Sequence, residues 1–127
     1  VEQARKDGFV CNPLGRKRYL PELSSSQFQV RSAAERAAIN MPIQSLAADV
    51  IKVAMIDVAE KVGADNPDCK MLLQVHDELL FEVKQDKVKE YAAKIKRLME
   101  QSIELSVPVV VEAKVGKNWG QMEEISL

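Results

Sequence analysis

The 127-residue sequence is poor in the residue types that mark several protein classes. It contains two cysteines, one histidine, one tryptophan and 5% aromatic residues, and its formal net charge is −1. Cys11 and Cys69 match no metal-ligand spacing, so two free thiols in a reducing cytoplasm are expected, a secreted protein with one disulfide being the alternative. No unbroken apolar run has transmembrane length, and no signal-peptide pattern opens the chain. The composition therefore indicates neither a membrane protein nor a globally basic polyanion binder.

Hydrophobic residues nevertheless make up 46% of the chain, enough for the core of one ordinary domain. Helical periodicity predicts a helix over 27–42 that Pro42 ends or kinks, then helices over 43–62 and from Asp86 to about residue 103. Gly8 suits the C-cap of a short first helix. Short apolar runs predict strands at 9–11, 18–20, 71–75, 79–83 and 109–115. The predicted fold is α+β, a small antiparallel sheet packed on helices.

The most distinctive stretch is 71–83, where two apolar runs flank His76, Asp77 and Glu78. This pattern predicts two buried strands joined by a two-residue His76–Asp77 turn, in which aspartate tolerates the left-handed backbone that such turns require. A tight turn would hold Asp77 rigidly at the end of a sheet, with two further ionisable groups beside it. A catalytic or metal-binding role is one interpretation; a solvated turn carboxylate without a function is the other.

Three weaker features accompany this hairpin. Asn40 and Gln44 place two carboxamides around Pro42, where they suit acceptors on base edges; the alternative is that they are simply exposed, or cap backbone groups of the kinked helix. Arginines suit phosphate oxygens, although such a cluster is more often a solvated face. The basic residues concerned are Arg16, Lys17, Arg18, Arg31 and Arg36. Asp49 and Lys52, three residues apart, are interpreted as an ordinary surface pair.

Four segments, taken in order, are similar to the C-terminal end of family A DNA polymerases of the bacterial polymerase I type. They lie at 15–21, 34–44, 47–49 and 72–79, and the last is similar to the family's third polymerase motif. The resemblance implies that the chain, as one domain of 127 residues, is the C-terminal palm portion of a longer polymerase. Residues 1–25 would border the fingers. The implied activity is template-directed DNA synthesis by two-metal nucleotidyl transfer, with Mg²⁺ as cofactor.

The resemblance also implies roles for individual residues. Asp77 would be one of two aspartates that hold the paired metal ions, Glu78 a supporting ligand, and His76 a contact to the primer end. Asn40 and Gln44 would read the minor groove, where the degenerate acceptor pattern reports pair shape rather than sequence. Contacts to the primer strand and minor groove would come from Arg18 and Arg36. The implied partners are primer–template DNA and deoxynucleoside triphosphates, without a membrane, in a cytoplasmic, nucleoid-associated protein active in replication and repair.

Two departures from the family pattern stand out. Ser45 and Leu46 occupy positions where glycine and a small hydroxyl residue are usual, which makes the helix entry bulkier beside Gln44. The family's first aspartate motif and its nucleotide-binding helix do not occur in these 127 residues. The fragment alone is therefore expected to be inactive, and an exposed sheet edge is expected to allow self-association. Two alternatives remain: a non-catalytic nucleic-acid-binding α+β module, and a protein-interaction domain without nucleic acid.

Overall fold

A computed structural model describes residues 1–127 and confirms the α+β class. Three α-helices are present: α1 (Glu2–Asp7), α2 (Phe28–Val58) and α3 (Val88–Glu100). The six strands are β1 (Phe9–Cys11), β2 (Lys17–Tyr19), β3 (Cys69–Val75), β4 (Glu78–Val83), β5 (Lys114–Gly116) and β6 (Met122–Glu124). They pair as three separate antiparallel ribbons, β1–β2, β3–β4 and β5–β6, where the sequence predicts one small sheet.

The chain divides into two compact units, Val1–Asp49 and Val50–Leu127. In the first unit, Gly8 caps α1 in the left-handed conformation, with φ 78°, as predicted. The apolar core of this unit is a cluster of buried residues from α1, the segment after β2, and the first half of α2: Ala4, Leu20, Leu23, Ala34 and Ala38. Arg5 on α1 also forms an ion pair with Glu35 on α2. These contacts fix the β1–β2 hairpin against the long helix.

The core of the second unit lies between the β3–β4 hairpin and α3. Val58, Cys69 and Ile95 are buried at its centre, and Phe81, Val83 and Tyr91 pack around them. Burial raises the pKa of the Cys69 thiol, because the thiolate would lose its hydration there. Both cysteines are free, as expected. The base of the hairpin is therefore anchored in this core.

Pro42 does not end the helix, so the two helices predicted on either side of it form one continuous helix. The helix continues as α2 to Val58 and then as a π-helical turn, Ala59–Gly63. Proline has no N–H, so the backbone hydrogen bond to the carbonyl of Ala38 is missing. Ala38 is itself buried, and apolar packing on this side of the helix offsets the lost bond.

The same helix has membrane-like length and average composition. Residues Phe28–Gly63 reach a mean hydropathy of 1.3 over an 18-residue window, although no unbroken apolar run occurs in it. Core helices of soluble proteins can have the same length and mean hydropathy. This helix also carries a buried carboxylate, Asp49, with an arginine partner. Membrane spans seldom contain such a group. The absence of a membrane partner stays a prediction.

The last predicted strand is much shorter than expected. Only Lys114–Gly116 pairs, with Met122–Glu124, whereas the prediction extends from residue 109 to 115. A strand requires a neighbour to receive its hydrogen bonds. In the unpaired part, the Val111 N–H donates to the carboxylate of Glu100 at 3.0 Å instead.

The assignment of the chain to one domain, with residues 1–25 bordering the fingers, also stays a prediction.

Candidate active site and nucleic-acid interface

The predicted His76–Asp77 turn is present between β3 and β4. Val75 pairs with Glu78, so two residues form the loop. The left-handed residue is His76, with φ 53°, and not Asp77 as the sequence analysis expected. Histidine is among the residues that adopt this region more often than most, at a cost of about 1 kcal/mol. The side-chain amide of Gln74 donates to the His76 carbonyl at 2.7 Å and supports the turn.

The three ionisable side chains at this tip are open to solvent. His76, Asp77 and Glu78 are all exposed. Neither carboxylate takes part in a hydrogen bond or ion pair, so both keep their oxygen lone pairs for an outside ligand. The prediction of buried strands holds only near the base of the hairpin, because Leu72 and Leu73 are 53% and 42% exposed. The tip is therefore a solvent-exposed two-residue turn that carries two carboxylates without partners in the chain.

A β-bulge at Leu72 changes which side chains share a face of this hairpin. Met71 pairs with Phe81, but Leu73 pairs with Leu80, so Leu72 has no partner. Paired residues lie on the same face and successive residues alternate. Phe81 therefore faces the core, whereas Leu80 and Glu78 face the opposite side. Bulges are frequent beside active sites, where they redirect side chains, and nothing in the apolar run predicted this one.

The donor set at the tip fits a metal ion that is shared with a substrate. No group of three or more histidine, cysteine, aspartate or glutamate side chains in the chain is placed to hold a metal by itself. Mg²⁺, however, is typically bound by one or two carboxylates together with substrate phosphates and water. Asp77 and Glu78 supply two such carboxylates, so they fit an incomplete site and not a closed cage.

Three of the predicted DNA contacts line one face of α2. Arg36, Asn40 and Gln44 are four residues apart, and the uninterrupted helix brings them into one stripe with steps of about 6 Å. All three are exposed and their side chains make no hydrogen bond within the chain. Of the two non-functional alternatives, capping of the helix backbone by these carboxamides is not observed, whereas simple exposure agrees with the structure. Ser45, which replaces the usual glycine, lies within α2, and the neighbouring Gln44 side chain is exposed.

The three residues of the basic run, Arg16 just before β2 and Lys17 and Arg18 on it, lie in different environments. Arg16 forms a bidentate pair with Asp49, whose hydrogen bonds and charge raise the pKa of the guanidinium. The ammonium of Lys17 lies 4.6 Å from the centre of the Phe9 ring. Arg18 is exposed and has no partner. Of the three cations, Arg18 is the one whose side chain makes no contact of this kind within the chain.

Asp49 is the residue that the sequence analysis interpreted wrongly. It is not a surface partner of Lys52: its side chain is 7% exposed and bonds to Arg16 and Asn12. Asn12 is also buried and donates to Ser45 at 3.1 Å. The available signal was an aspartate within the apolar stripe of α2, three residues after Leu46. Its distant partners, 33 and 37 residues away, left no pattern in the sequence.

The predicted site residues therefore fall into two groups, one in each unit. His76, Asp77 and Glu78 lie together at the β3–β4 turn in Val50–Leu127. The other group belongs to Val1–Asp49 and consists of Arg18 on β2 with Arg36, Asn40 and Gln44 on α2. The first group offers metal-binding oxygens. The second offers cations and carboxamides, which suit phosphates and base edges.

Comparisons with known proteins identify the family of the chain. The family model described as DNA polymerase family A matches residues 1–121. DNA polymerase I of Mycobacterium leprae is 52% identical over 120 residues, and that of Bacillus subtilis is 43% identical over 119 residues. Each alignment covers 94% of this chain but only 13% and 14% of the respective relative. The chain thus spans about one seventh of the length of these curated relatives.

A solved structure is similar as well. It is the POL domain of Pol1 from M. smegmatis in complex with DNA primer-template and dNTP, 53% identical in sequence. The superposition has a TM-score of 0.79 and covers 84% of this chain and 19% of the other. The likeness in fold therefore accompanies a likeness in sequence over most of the chain.

Proposed function

The chain belongs to DNA polymerase family A, and from this premise we propose that it forms the C-terminal palm portion of a longer DNA-directed DNA polymerase. Residues 1–25 would border the fingers of that parent. The parent would add deoxynucleotides to a primer 3′ end by in-line displacement. The observation that carries this proposal is the β3–β4 turn, which presents the unpaired carboxylate of Asp77 to solvent at the tip of a paired hairpin.

Asp77 and Glu78 are the residues that would hold Mg²⁺ in the parent. When bound between protein carboxylates and substrate phosphates, the ions supply stabilisation of the charge that develops on the transferred phosphoryl group. Glu78 follows Asp77 directly and supplies supporting oxygens. His76, whose left-handed backbone sets the turn, would contact the primer terminus. The other aspartate of the site would come from elsewhere in the parent.

The residues of the first unit would hold the primer–template. Arg18 suits a backbone phosphate, because its guanidinium presents a fork of N–H donors and has no internal partner. Asn40 and Gln44 would donate to the acceptors of the minor groove, and Arg36 would contact the groove on the same face of α2. Phosphate contacts position the duplex, while the carboxamides test the shape of the new pair.

Replacing Arg18 by alanine in the parent tests this interface. The loss of one phosphate contact is expected to raise the Kd for primer–template about 10-fold, with little sequence dependence. The slope of log K against log salt should fall in magnitude by about one. Fluorescence anisotropy with a labelled duplex at several salt concentrations measures both quantities.

Lys17→Ala is the matched control, since it removes a cation from the adjacent position of the same strand. Its ammonium is held over Phe9, so the expected change in Kd is less than about twofold. Equal losses in the two variants would contradict a specific role for Arg18. An unchanged salt slope in Arg18→Ala would exclude its phosphate contact.

Two further properties belong to the same proposal. The parent would work in the cytoplasm, at the nucleoid, in replication and repair. The isolated chain would self-associate through a ribbon edge, since each of its two-stranded sheets leaves unpaired backbone groups along both sides.

A further inference from the structure

Asp49 is the centre of a buried polar network between the β1–β2 turn and α2. Its carboxylate accepts a hydrogen bond from the Arg16 Nε at 2.9 Å, and the Arg16 Nη2 lies 2.7 Å from it in an ion pair. It also accepts a hydrogen bond from the side-chain amide of Asn12 at 2.8 Å. Asp49 is 5% exposed, so its charge is largely removed from water and is compensated by Arg16 and Asn12 of the same chain.

Asn12 organises the turn that carries the basic arm. Its side-chain carbonyl accepts from the backbone N–H groups of Leu14 and Arg16, at 3.0 and 3.1 Å. Its backbone carbonyl accepts from Gly15, and its own N–H donates to the Arg16 carbonyl. A single carboxylate on α2 therefore fixes both the base of the turn and the first cation of the arm.

The network attaches this turn to two successive turns of the helix. Asn12 donates to Ser45 as well as to Asp49, and these two positions are one helical turn apart. Ser45 is the neighbour of Gln44. At the other end of the network, Arg16 immediately precedes β2, and Arg18 lies two residues further along the chain on that strand. The network thus links the strand of the available arginine to the stretch of helix that bears the groove-facing carboxamides.

We propose that Asp49 is a positioning residue for DNA, holding the arm that bears Arg18 in register with Asn40 and Gln44. Asp49 does not touch DNA, because its oxygens are bonded to Arg16 and Asn12. Arg16 is accordingly a structural cation and not a phosphate contact. This inference rests on the proposed function, since it presupposes that Arg18 binds the primer strand.

A double-mutant cycle in the parent polymerase tests the coupling. Asp49→Asn keeps the size of the side chain but removes the charge that orients Arg16. It is expected to raise the Kd for primer–template about 5-fold when Arg18 is present and less than about 1.5-fold in the Arg18→Ala background. The kcat at saturating DNA should change less than about twofold, because the reacting groups are untouched. Thermal stability should fall equally in both backgrounds.

Two further variants keep this test decisive. Arg16→Lys retains the charge but lacks the fork, so a smaller loss of affinity with the same dependence on Arg18 is expected. Asp57→Asn, the same chemical change further along α2, should leave the Kd unaltered. If Asp49→Asn raised the Kd for primer–template by the same factor with Arg18 present and in the Arg18→Ala background, the positioning role would be overturned. If instead Arg18→Ala alone leaves the Kd unchanged, the DNA contact in the proposed function fails, and the coupling fails with it.

Discussion

Replacing Asp77 by alanine in the parent polymerase is expected to lower the rate of nucleotide incorporation by at least about 10³-fold. Stabilisation of the transferred phosphoryl group by metal ions contributes several kcal/mol to the barrier, and each 1.36 kcal/mol corresponds to a factor of ten. Asp77 has no internal partner, so its removal breaks no contact of the fold. The Kd for primer–template should stay within about threefold, and single-turnover extension with a binding titration measures the two effects separately.

Two neighbouring variants calibrate this result. Glu78→Gln removes a supporting ligand, so it should reduce the rate by only about tenfold. Glu82→Gln removes an exposed carboxylate from the same strand, opposite Lys70, and should leave the rate unchanged. A non-catalytic binding module would contain no residue with such an effect on synthesis. Extension at the original rate without the Asp77 carboxylate would refute the enzyme assignment.

The isolated 127-residue chain is expected to show no detectable primer extension. Its exposed tip supplies two carboxylates, and no group of three metal-ligating side chains is present. Two-metal transfer needs ions roughly 3.5–4 Å apart with ligands on both sides, which this set does not provide. The Kd for Mg²⁺ should accordingly be on the order of 1 mM or weaker, since the missing ligands would be substrate phosphates and other residues.

Extension assays with excess chain, labelled primer–template and either Mg²⁺ or Mn²⁺ measure this directly. The parent at the same molar concentration is the positive control, and the chain with Asp77→Ala is the blank. Incorporation by the unaltered chain above that blank would show that the 127 residues contain a complete catalytic site. Isothermal titration with Mg²⁺ gives the second reading, and micromolar affinity would contradict an incomplete ligand set.

Local patterns were sufficient where short-range physics decides the structure. The glycine cap at Gly8, the two-residue turn at His76–Asp77 and the amphipathic face of α3 all follow from neighbouring residues. These local features alone, without any tertiary contact, place the tip carboxylates at a tight turn between two strands. The α+β class followed from the same patterns.

Features that depend on distant partners could not be read in this way. Asp49 is buried because Asn12 and Arg16, more than 30 residues earlier, come to bond with it, and no spacing rule encodes that contact. The segment before Lys114 has a strand's composition, but strand pairing requires a partner, and β6 reaches only three of its residues. The bulge at Leu72 likewise depends on how the hairpin packs.

Pro42 is a position where a strong local rule did not decide where the helix ends. Proline inside a helix costs roughly 3 kcal/mol, and the pattern therefore indicated an end or a kink. Burial of Ala38 and Met41 beside it offsets part of this cost, and α2 continues. The consequence is functional, because only an uninterrupted helix brings Arg36, Asn40 and Gln44 into one stripe.

Local cleavage by a redox-active metal tests the central claim most directly, namely that the β3–β4 turn holds the metal ions of DNA synthesis. Fe²⁺ replaces Mg²⁺ at oxygen-ligand sites and, with ascorbate and peroxide, cuts the backbone beside the bound ion. With the parent, primer–template and a deoxynucleoside triphosphate, we expect cleavage at residues 76–78 that excess Mg²⁺ suppresses and that Asp77→Ala abolishes. Cleavage confined to other segments, with residues 76–78 intact, would contradict the account.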